Sequence, residues 1–325
     1  MNNLSILLTG GTGSFGNKFV EMTLKKYNPK KLIIFSRDEM KQWYMAQKFN
    51  DERLRFFLGD IRDKDRLNRA ADEVDIIIHA AALKIVPTAE YNPFESVKTN
   101  IIGAMNLIDV AIEKRVKKVI ALSTDKAWDP IKFYGATKLA SDKLFIAGNN
   151  YVGLKPTSFS VVRYGNVIGS RGSVIPFFLK LKNEKKQLTI TDNRMTRFFT
   201  TLDDAVKMVW TSLKVMKGGE IFVLKNPSIK ILELAKIIDK NPIKEIGIRP
   251  GEKINEVLIS REESENTYDC GSYYSIISPI TERKTPAYLK KLKKVKKDFE
   301  YSSNKNKFLT SKEIKKIIEK FKTSS

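Results

Sequence analysis

With 325 residues, 42% of them hydrophobic, the chain suits one large domain or two closely joined ones and is too apolar for a disordered or fibrous protein. A single histidine and a single cysteine exclude a His/Cys zinc site and an internal disulfide, fit a reducing cytoplasm, and leave no metal centre to expect. No apolar run reaches the ~20 residues that span a bilayer, and the net charge of +22 raises a polyanionic partner as a question to settle along the chain.

The chain opens on a strand-like Leu4–Leu8 with no basic run before it, so no signal peptide is expected. Strands follow at Lys31–Phe35, Arg55–Leu58, Asp75–Ile78, Lys118–Leu122 and Ser158–Val162. Helical stretches separate them, among them Phe15–Tyr27, Phe94–Lys114 and Tyr134–Asn149. This alternation predicts an α/β fold, a doubly wound parallel (Rossmann) sheet with ligands at the strand C-termini. After about Tyr164 the segments shorten, with Gly172, Pro176, Pro227, Pro242, Pro250 and Pro279 among them. The expected division is 1–165 for the dinucleotide-binding domain and 166–325 for a smaller, mainly substrate-binding lobe, with part of 200–225 returning once to the sheet. Thr310 and Glu313 form a capping box for a last helix, with Leu309 and Ile314 as its hydrophobic staple. Residues 281–325 carry +10 of the charge, but KKLKKVKK has no interleaved aromatics, so it reads as a solvated surface rather than a nucleic-acid or membrane patch.

Three segments carry chemistry. TGGTGSFG (9–16) sits between the first strand and the first helix, where Gly10, Gly13 and Gly16 allow a tight turn and close backbone approach to a pyrophosphate. After the second strand, Ser36, Arg37 and Lys41 suit a 2′-phosphate, so NADP is favoured, while Asp38 keeps NAD open. Asp60, with Ile61 beside it, is placed to meet the adenine or, alternatively, to cap a helix.

The third segment is STDKAWDPIKFYGATK (123–138). Tyr134 and Lys138 share a helix face, and a nearby ammonium lowers a phenol's pKa from ~10. Tyr134 can then take the proton of a sugar hydroxyl that Thr124 orients. Once C4 is a ketone the C5 proton is acidic, so Lys126 is the candidate base at C5 and Asp125 the candidate acid at O6. Lys126 must be uncharged for that, which takes burial and the repulsion of Lys138 and an oxidised nicotinamide. His79 reads as a packed core imidazole and Cys270 as structural.

These blocks, with SRDEMKQ, GDIRD, HAAALKIVP, RYGNVIGSRGSVIPFF, MTRFF and IRPGEK, resemble the extended short-chain dehydrogenase/reductases, and within them the inverting UDP-N-acetylglucosamine 4,6-dehydratases. The resemblance implies C4 oxidation with NADP+, loss of water across C5–C6, and hydride return with C5 inversion. It implies the first step toward pseudaminic acid, a cytoplasmic setting and a homo-oligomer, dimer or hexamer. Retaining relatives carry Asp-Glu where this chain has Asp125-Lys126. The resemblance places cofactor contacts at Thr12, Gly13, Ser14, Phe15, Ser36 to Lys41, Asp60, Ile61, Ala80, Tyr134 and Lys138. It places UDP-sugar contacts at Lys84, Asn166, Val174, Arg197, Arg249 and Glu252, the arginines facing the two phosphates. Trp128 and Asp129 depart from the family pattern. The alternatives are a related dehydratase/C5-epimerase or 4-epimerase, and a non-catalytic cofactor sensor that would need none of the five catalytic residues.

Overall fold

The computed structural model describes residues 1–168, 173–249, 251–279 and 285–324. Gly172 and Pro250, and with Gly172 the middle of RYGNVIGSRGSVIPFF, lie outside the described residues.

The apolar runs build a sheet because their residues alternate between two faces. Leu7, Ile33, Ile77, Val119 and Val161 enter one buried core, while Ile6, Leu8, Ile34, Ile78, Ile120 and Val162 enter another. Strands buried on both faces need helices on both sides, and the connections supply them. In chain order come β1 (Ser5–Thr9), α1 (Ser14–Lys26), β2 (Lys31–Ser36), α2 (Glu39–Phe49), β3 (Leu54–Leu58), α3 (Lys64–Ala70) and β4 (Ile76–His79). Next are α4 (Val86–Tyr91), α5 (Pro93–Val97), α6 (Gly103–Glu113), β5 (Lys118–Thr124), α7 (Phe133–Ala147) and β6 (Ser158–Tyr164). The helix expected over Phe94–Lys114 carries a π turn at Lys98–Ile102 between α5 and α6.

The second half contributes β7 (Asn166–Val167), α8 (Val174–Asn183), β8 (Thr189–Ile190), β9 (Thr196–Thr200), α9 (Leu202–Val215), β10 (Glu220–Leu224), β11 (Ser228–Lys230) and α10 (Ile231–Ile238). It closes with β12 (Lys244–Glu245), β13 (Val257–Ile259), α11 (Arg261–Ser264), β14 (Thr267–Asp269), β15 (Tyr273–Ile277), α12 (Ala287–Lys290), β16 (Tyr301–Ser302) and α13 (Ser311–Ser324).

The main sheet has the order β14-β15-β10-β6-β5-β4-β1-β2-β3. β10 lies parallel to β6, whereas β15 pairs antiparallel with β10 and with β14. The chain therefore returns to the sheet at 220–224 and again at 267–277, beyond the single return expected. The second return is a hairpin whose turn is set locally: Gly271 has φ +81° and donates its N–H to Asp269 Oδ1 at 2.8 Å.

The basic segment has a structural use here. Asp269 N–H donates to the Lys293 carbonyl at 3.1 Å and Val295 N–H to the Thr267 carbonyl at 3.0 Å, so a lysine-rich stretch covers the outer edge of β14. Lysines beside a strand edge discourage pairing with another chain. A third core, with Ile175, Phe178, Ile190, Phe199 and Leu234, forms the smaller lobe. Ile314 and Ile318 of α13 insert into it, and Thr310 and Glu313 make the expected reciprocal cap at the helix start. Among the described residues, no helix is long and apolar enough to cross a membrane, and no cluster of three His, Cys, Asp or Glu could hold a metal ion.

Candidate active site

The C-terminal ends of the parallel strands open onto a crevice of about 1270 Å³, closed opposite by β7, β9 and residues of the 249–256 segment. Its walls contain nearly all of the residues singled out from sequence. The glycine turn is shaped by close contact: Gly10 has φ +65°, and a Cβ there would lie 2.8 Å from the backbone of Ala80 and Ala81. A Cβ on Gly16 would lie 2.0 Å from the Gly11 carbonyl oxygen. α1 thus starts hard against the turn, and no side chain caps it and no acid sits in its first turn. The helix-start N–H groups of Ser14 and Phe15 and the positive dipole end there, with Thr12 and Gly13, lie at the crevice wall and suit an anion.

At the tip of β2, Ser36, Arg37, Asp38 and Lys41 line the crevice. Asp38 is engaged in its own helix: its carboxylate accepts the Lys41 N–H at 2.9 Å as the cap of α2 and pairs with the Lys41 ammonium. Asp60 accepts the Arg62 N–H at 3.0 Å and Nε at 2.8 Å, with Arg37 3.7 Å away. Burial acts to raise the Asp60 pKa, but the two guanidinium groups outweigh it and hold the carboxyl below its usual value. The cap of α3 is Asp63, so the capping alternative for Asp60 is set aside. Ile61 and Ala80 line the same wall. An uncapped helix start, a cradle that a Cβ would fill and cations at the β2 tip together fit a nicotinamide dinucleotide.

The catalytic candidates form one connected line. The Tyr134 hydroxyl meets that of Thr124, Thr124 Oγ1 donates to Asp125 Oδ1 at 3.0 Å, and Lys126 Nζ donates to the same oxygen at 2.9 Å. Lys126 also donates to Asn166 Oδ1 at 3.1 Å and lies 3.5 Å from Glu256 Oε1. Asn166 stands on β7, paired with Phe199 of β9, with its Oδ1 accepting from Lys126.

Two expectations about charge are corrected. Burial works to lower the Lys126 pKa, but the Asp125 and Glu256 carboxylates outweigh it and the net direction is upward. The cation that repels Lys126 is Arg197 rather than Lys138. Lys126 is therefore held as an ammonium, not as a free amine. Lys138, in turn, donates to the Leu122 carbonyl at 2.8 Å, and burial lowers its pKa against the opposing pull of Asp142. The Tyr134 phenol is pushed up to about 12 by burial, and the charge that pulls it back is that of Lys126. Lys138 has no such effect on the phenol here, because its ammonium is turned toward β5.

The substrate candidates divide. Lys84, Asn166, Arg249 and Glu252 line the crevice. Val174 does not; it begins α8 and packs against the lobe core, while Ser173 before it lines the wall. Arg197 reaches the crevice but is 7% exposed and is spent on the protein, donating to the carbonyls of Thr196 at 2.7 Å, Ile254 at 2.9 Å and Lys253 at 2.9 Å. A guanidinium bound to three carbonyls does not have a free fork for a pyrophosphate, so bidentate phosphate binding by Arg197 is corrected. Asp125 lies 1% exposed beneath Lys126, and its Oδ2 has no hydrogen-bond partner among the described residues.

Other residues emerge only from the structure. Asn100, in the π turn, donates to the Leu83 carbonyl at 3.0 Å and to Thr137 Oγ1 at 3.0 Å, fixing the Lys84 loop to α7. Lys253 donates to the Trp128 carbonyl at 3.0 Å and lies 3.4 Å from Asp129, so the two departures from the family pattern are where the catalytic loop meets the lobe. Glu256 follows the IRPGEK motif by three residues with no local signal of its own. His79 is 2% exposed with Thr9 Oγ1 2.8 Å from Nδ1, and burial, aided by Lys138, lowers its pKa to about 3.

Comparison with known proteins agrees with this geometry. A sequence model of the polysaccharide biosynthesis protein family matches residues 6–278. The chain is 53% identical over 98% of its length, and 98% of the other, to a UDP-N-acetylglucosamine 4,6-dehydratase (inverting) of Campylobacter jejuni. It is 42% identical over 97% of its length, and 95% of the other, to a protein named UDP-glucose 4-epimerase in Rickettsia bellii. Among solved structures, Pen from Bacillus thuringiensis superposes with a TM-score of 0.90 at 36% identity, covering 99% of this chain and 98% of that one.

Proposed function

We propose, for a chain that belongs to the polysaccharide biosynthesis protein family within the extended short-chain dehydrogenase/reductases, that it is an NADP-dependent UDP-N-acetylglucosamine 4,6-dehydratase that inverts C5, a lyase. The observation that carries this reading is the Lys126–Asp125 pair, hydrogen-bonded to Thr124 on the same crevice floor as Tyr134. An oxidation at C4 alone needs only Thr124, Tyr134 and Lys138. A second acid–base pair on the same floor has use only if further protons move.

A nicotinamide dinucleotide held by Thr12 to Phe15 and by the tip of β2 would supply the hydride chemistry that C4 oxidation and C6 reduction require. The protein does the rest. Tyr134 takes the O4 proton as the phenolate, the form that the Lys126 charge favours, Thr124 holds that hydroxyl in line, and Lys138 anchors the helix that carries Tyr134 against β5. The Lys126 ammonium stands 2.9 Å from Asp125, and transfer of one proton between them breaks an Nζ–H bond and forms an Oδ–H bond. That single transfer arms both residues, an amine to take the C5 proton and a carboxylic acid to protonate O6 as it leaves. A sugar that covers the crevice excludes water, which disfavours the charged pair relative to the neutral one.

NADP is supported over NAD because Asp38 is committed to capping α2 while Arg37 and Lys41 stand at the strand tip. Lys84, Arg249 and Glu252 are proposed for the UDP-sugar, with Arg249 for its phosphates. A cytoplasmic location, entry of the product into pseudaminic acid synthesis and glycosylation of surface proteins such as flagellin, and a homo-oligomer complete the proposal; exposed Tyr91, Phe94, Ile102 and Met105 give an apolar surface for the last. The likeness to the Rickettsia bellii protein favours one competitor, a 4-epimerase. Incubation of the purified protein with NADP+ and UDP-N-acetylglucosamine, followed by NMR, separates them. The expected first product is the 4-keto-6-deoxy L-arabino sugar; a C4 epimer that retains the C6 oxygen refutes the dehydratase.

A further inference from the structure

We propose that Glu256 is a positioning residue of this site: its carboxylate grips the Lys126 amine and the Arg197 guanidinium, setting where Lys126 points and how readily it gives up a proton. The inference rests on the reading of Lys126 as the group that works at C5.

Glu256 sits immediately before β13 and is 4% exposed. Its backbone is fixed on both sides by one residue, its N–H donating to Ser303 Oγ at 2.9 Å and its carbonyl accepting the Ser303 N–H at 2.8 Å. Oε1 lies 3.5 Å from Lys126 Nζ and 3.6 Å from Arg197 Nε. Arg197 is itself immobilised by the three carbonyls of β9 and the 253–254 segment, so the carboxylate is held between a fixed backbone and a fixed cation. Such a group cannot follow Lys126 if the lysine moves; it defines one position for it.

Among the described residues, the charged neighbours of Lys126 are few. Asp125 on its own turn and Glu256 from the lobe favour the ammonium, Arg197 from β9 opposes it, and the Tyr134 hydroxyl faces it from α7. Asn166 adds an uncharged acceptor. Asp125 is needed to exchange a proton with the amine, whereas Glu256 adds negative charge that keeps the amine protonated until the sugar arrives. An opposite charge at this range moves a pKa by about 1–3 units. Without it the amine loses its proton about tenfold more readily at a given pH.

The test is Glu256→Gln, which keeps shape and removes charge. Competitive acetylation of Lys126, read by peptide mass spectrometry across the neutral to alkaline range without any sugar, reports the amine's titration. Its midpoint is expected to fall by about one pH unit or more; an unchanged midpoint overturns the proposal. Glu256→Asp, which withdraws the carboxylate by one methylene, covers the case in which the glutamine variant does not fold. It is expected to move the midpoint the same way by less, and no movement again overturns it. With UDP-N-acetylglucosamine, deuterium uptake at C5 is expected to show its rising pH limb displaced toward acid in Glu256→Gln. A wild-type protein inert toward that sugar refutes the dehydratase reading, and the acetylation result then still decides the part played by Glu256.

Discussion

Gly135→Ala tests whether the helix bearing Tyr134 and the loop bearing Lys126 act as one rigid unit. A Cβ at position 135 would lie 2.2 Å from the Lys126 carbonyl oxygen and 2.8 Å from Pro130 Cβ, against ordinary contact from 3.4 Å upward. The loop must retreat by roughly 1 Å. It carries Lys126 on one side of the contact while Tyr134 adjoins the other, so the two reacting groups part by a similar amount. A 1 Å misplacement costs about 100-fold in rate, roughly 2.7 kcal/mol of barrier. Stability should change far less. Overpacking costs about 1–3 kcal/mol, and alanine recovers about 1 kcal/mol of helix propensity. The net of about 0–2 kcal/mol corresponds to a fall in Tm of no more than about 8 °C. Turnover of UDP-N-acetylglucosamine by NMR, NADP+ affinity by fluorescence titration and a thermal melt give the three readouts. The expected pattern is kcat down about 100-fold, cofactor affinity within threefold and a folded protein. A kcat within threefold of wild type would refute the reasoning, because the loop would then yield without consequence.

Tyr134→Phe removes the phenol hydroxyl beside Thr124 and should cut turnover by about 10²- to 10⁴-fold. Stopped-flow absorbance should show no transient NADPH, and a normal transient would remove Tyr134 from the first step. Arg37→Ala and Lys41→Ala should each weaken NADP+ binding about tenfold by calorimetry, a modest loss since both side chains are about half exposed, and leave NAD+ binding unchanged. Equal losses for both cofactors would contradict a 2′-phosphate site. His79 gives a pH signature. Its folded pKa is about 3 against ~6.5 in an unfolded chain, so below about pH 6.5 only the unfolded state takes up the proton. Its contribution is intact above that value and falls by about 1.4 kcal/mol per pH unit below it, about 2 kcal/mol by pH 5. Melts of wild type and His79→Gln between pH 7 and 5 check this; equal slopes would show that His79 is not the titrating group.

Local pattern settled much of this protein in advance. Short, nearly continuous apolar runs mark β1, β2, β4, β5 and β6, because strands buried on both faces need no polar alternation. TGGTGSFG is readable as a tight glycine turn because strand, glycines and helix start adjoin one another. Thr124, Asp125, Lys126, Tyr134 and Lys138 stand out for the same reason: they fall within fifteen consecutive residues, although helical spacing does not set the Lys138 ammonium against Tyr134, since it turns to the Leu122 carbonyl. Thr310 and Glu313 likewise cap α13 through a contact three residues long.

What tertiary structure alone decided is the electrical state of those residues. The Lys126 pKa is driven upward by Asp125 beside it and also by Glu256, 130 positions later, which the pairing of β13 with β16 and Ser303 bring within 3.5 Å. Arg197 looked like a phosphate fork but was committed to carbonyls at 253 and 254 when β9 met that segment. Val174 turned from the crevice because α8 buries that face in the lobe. Propensity, capping and periodicity act over a few residues and survive in any context. Coulomb energy and desolvation depend on which remote groups arrive and on how much water they displace, and only the folded chain specifies either.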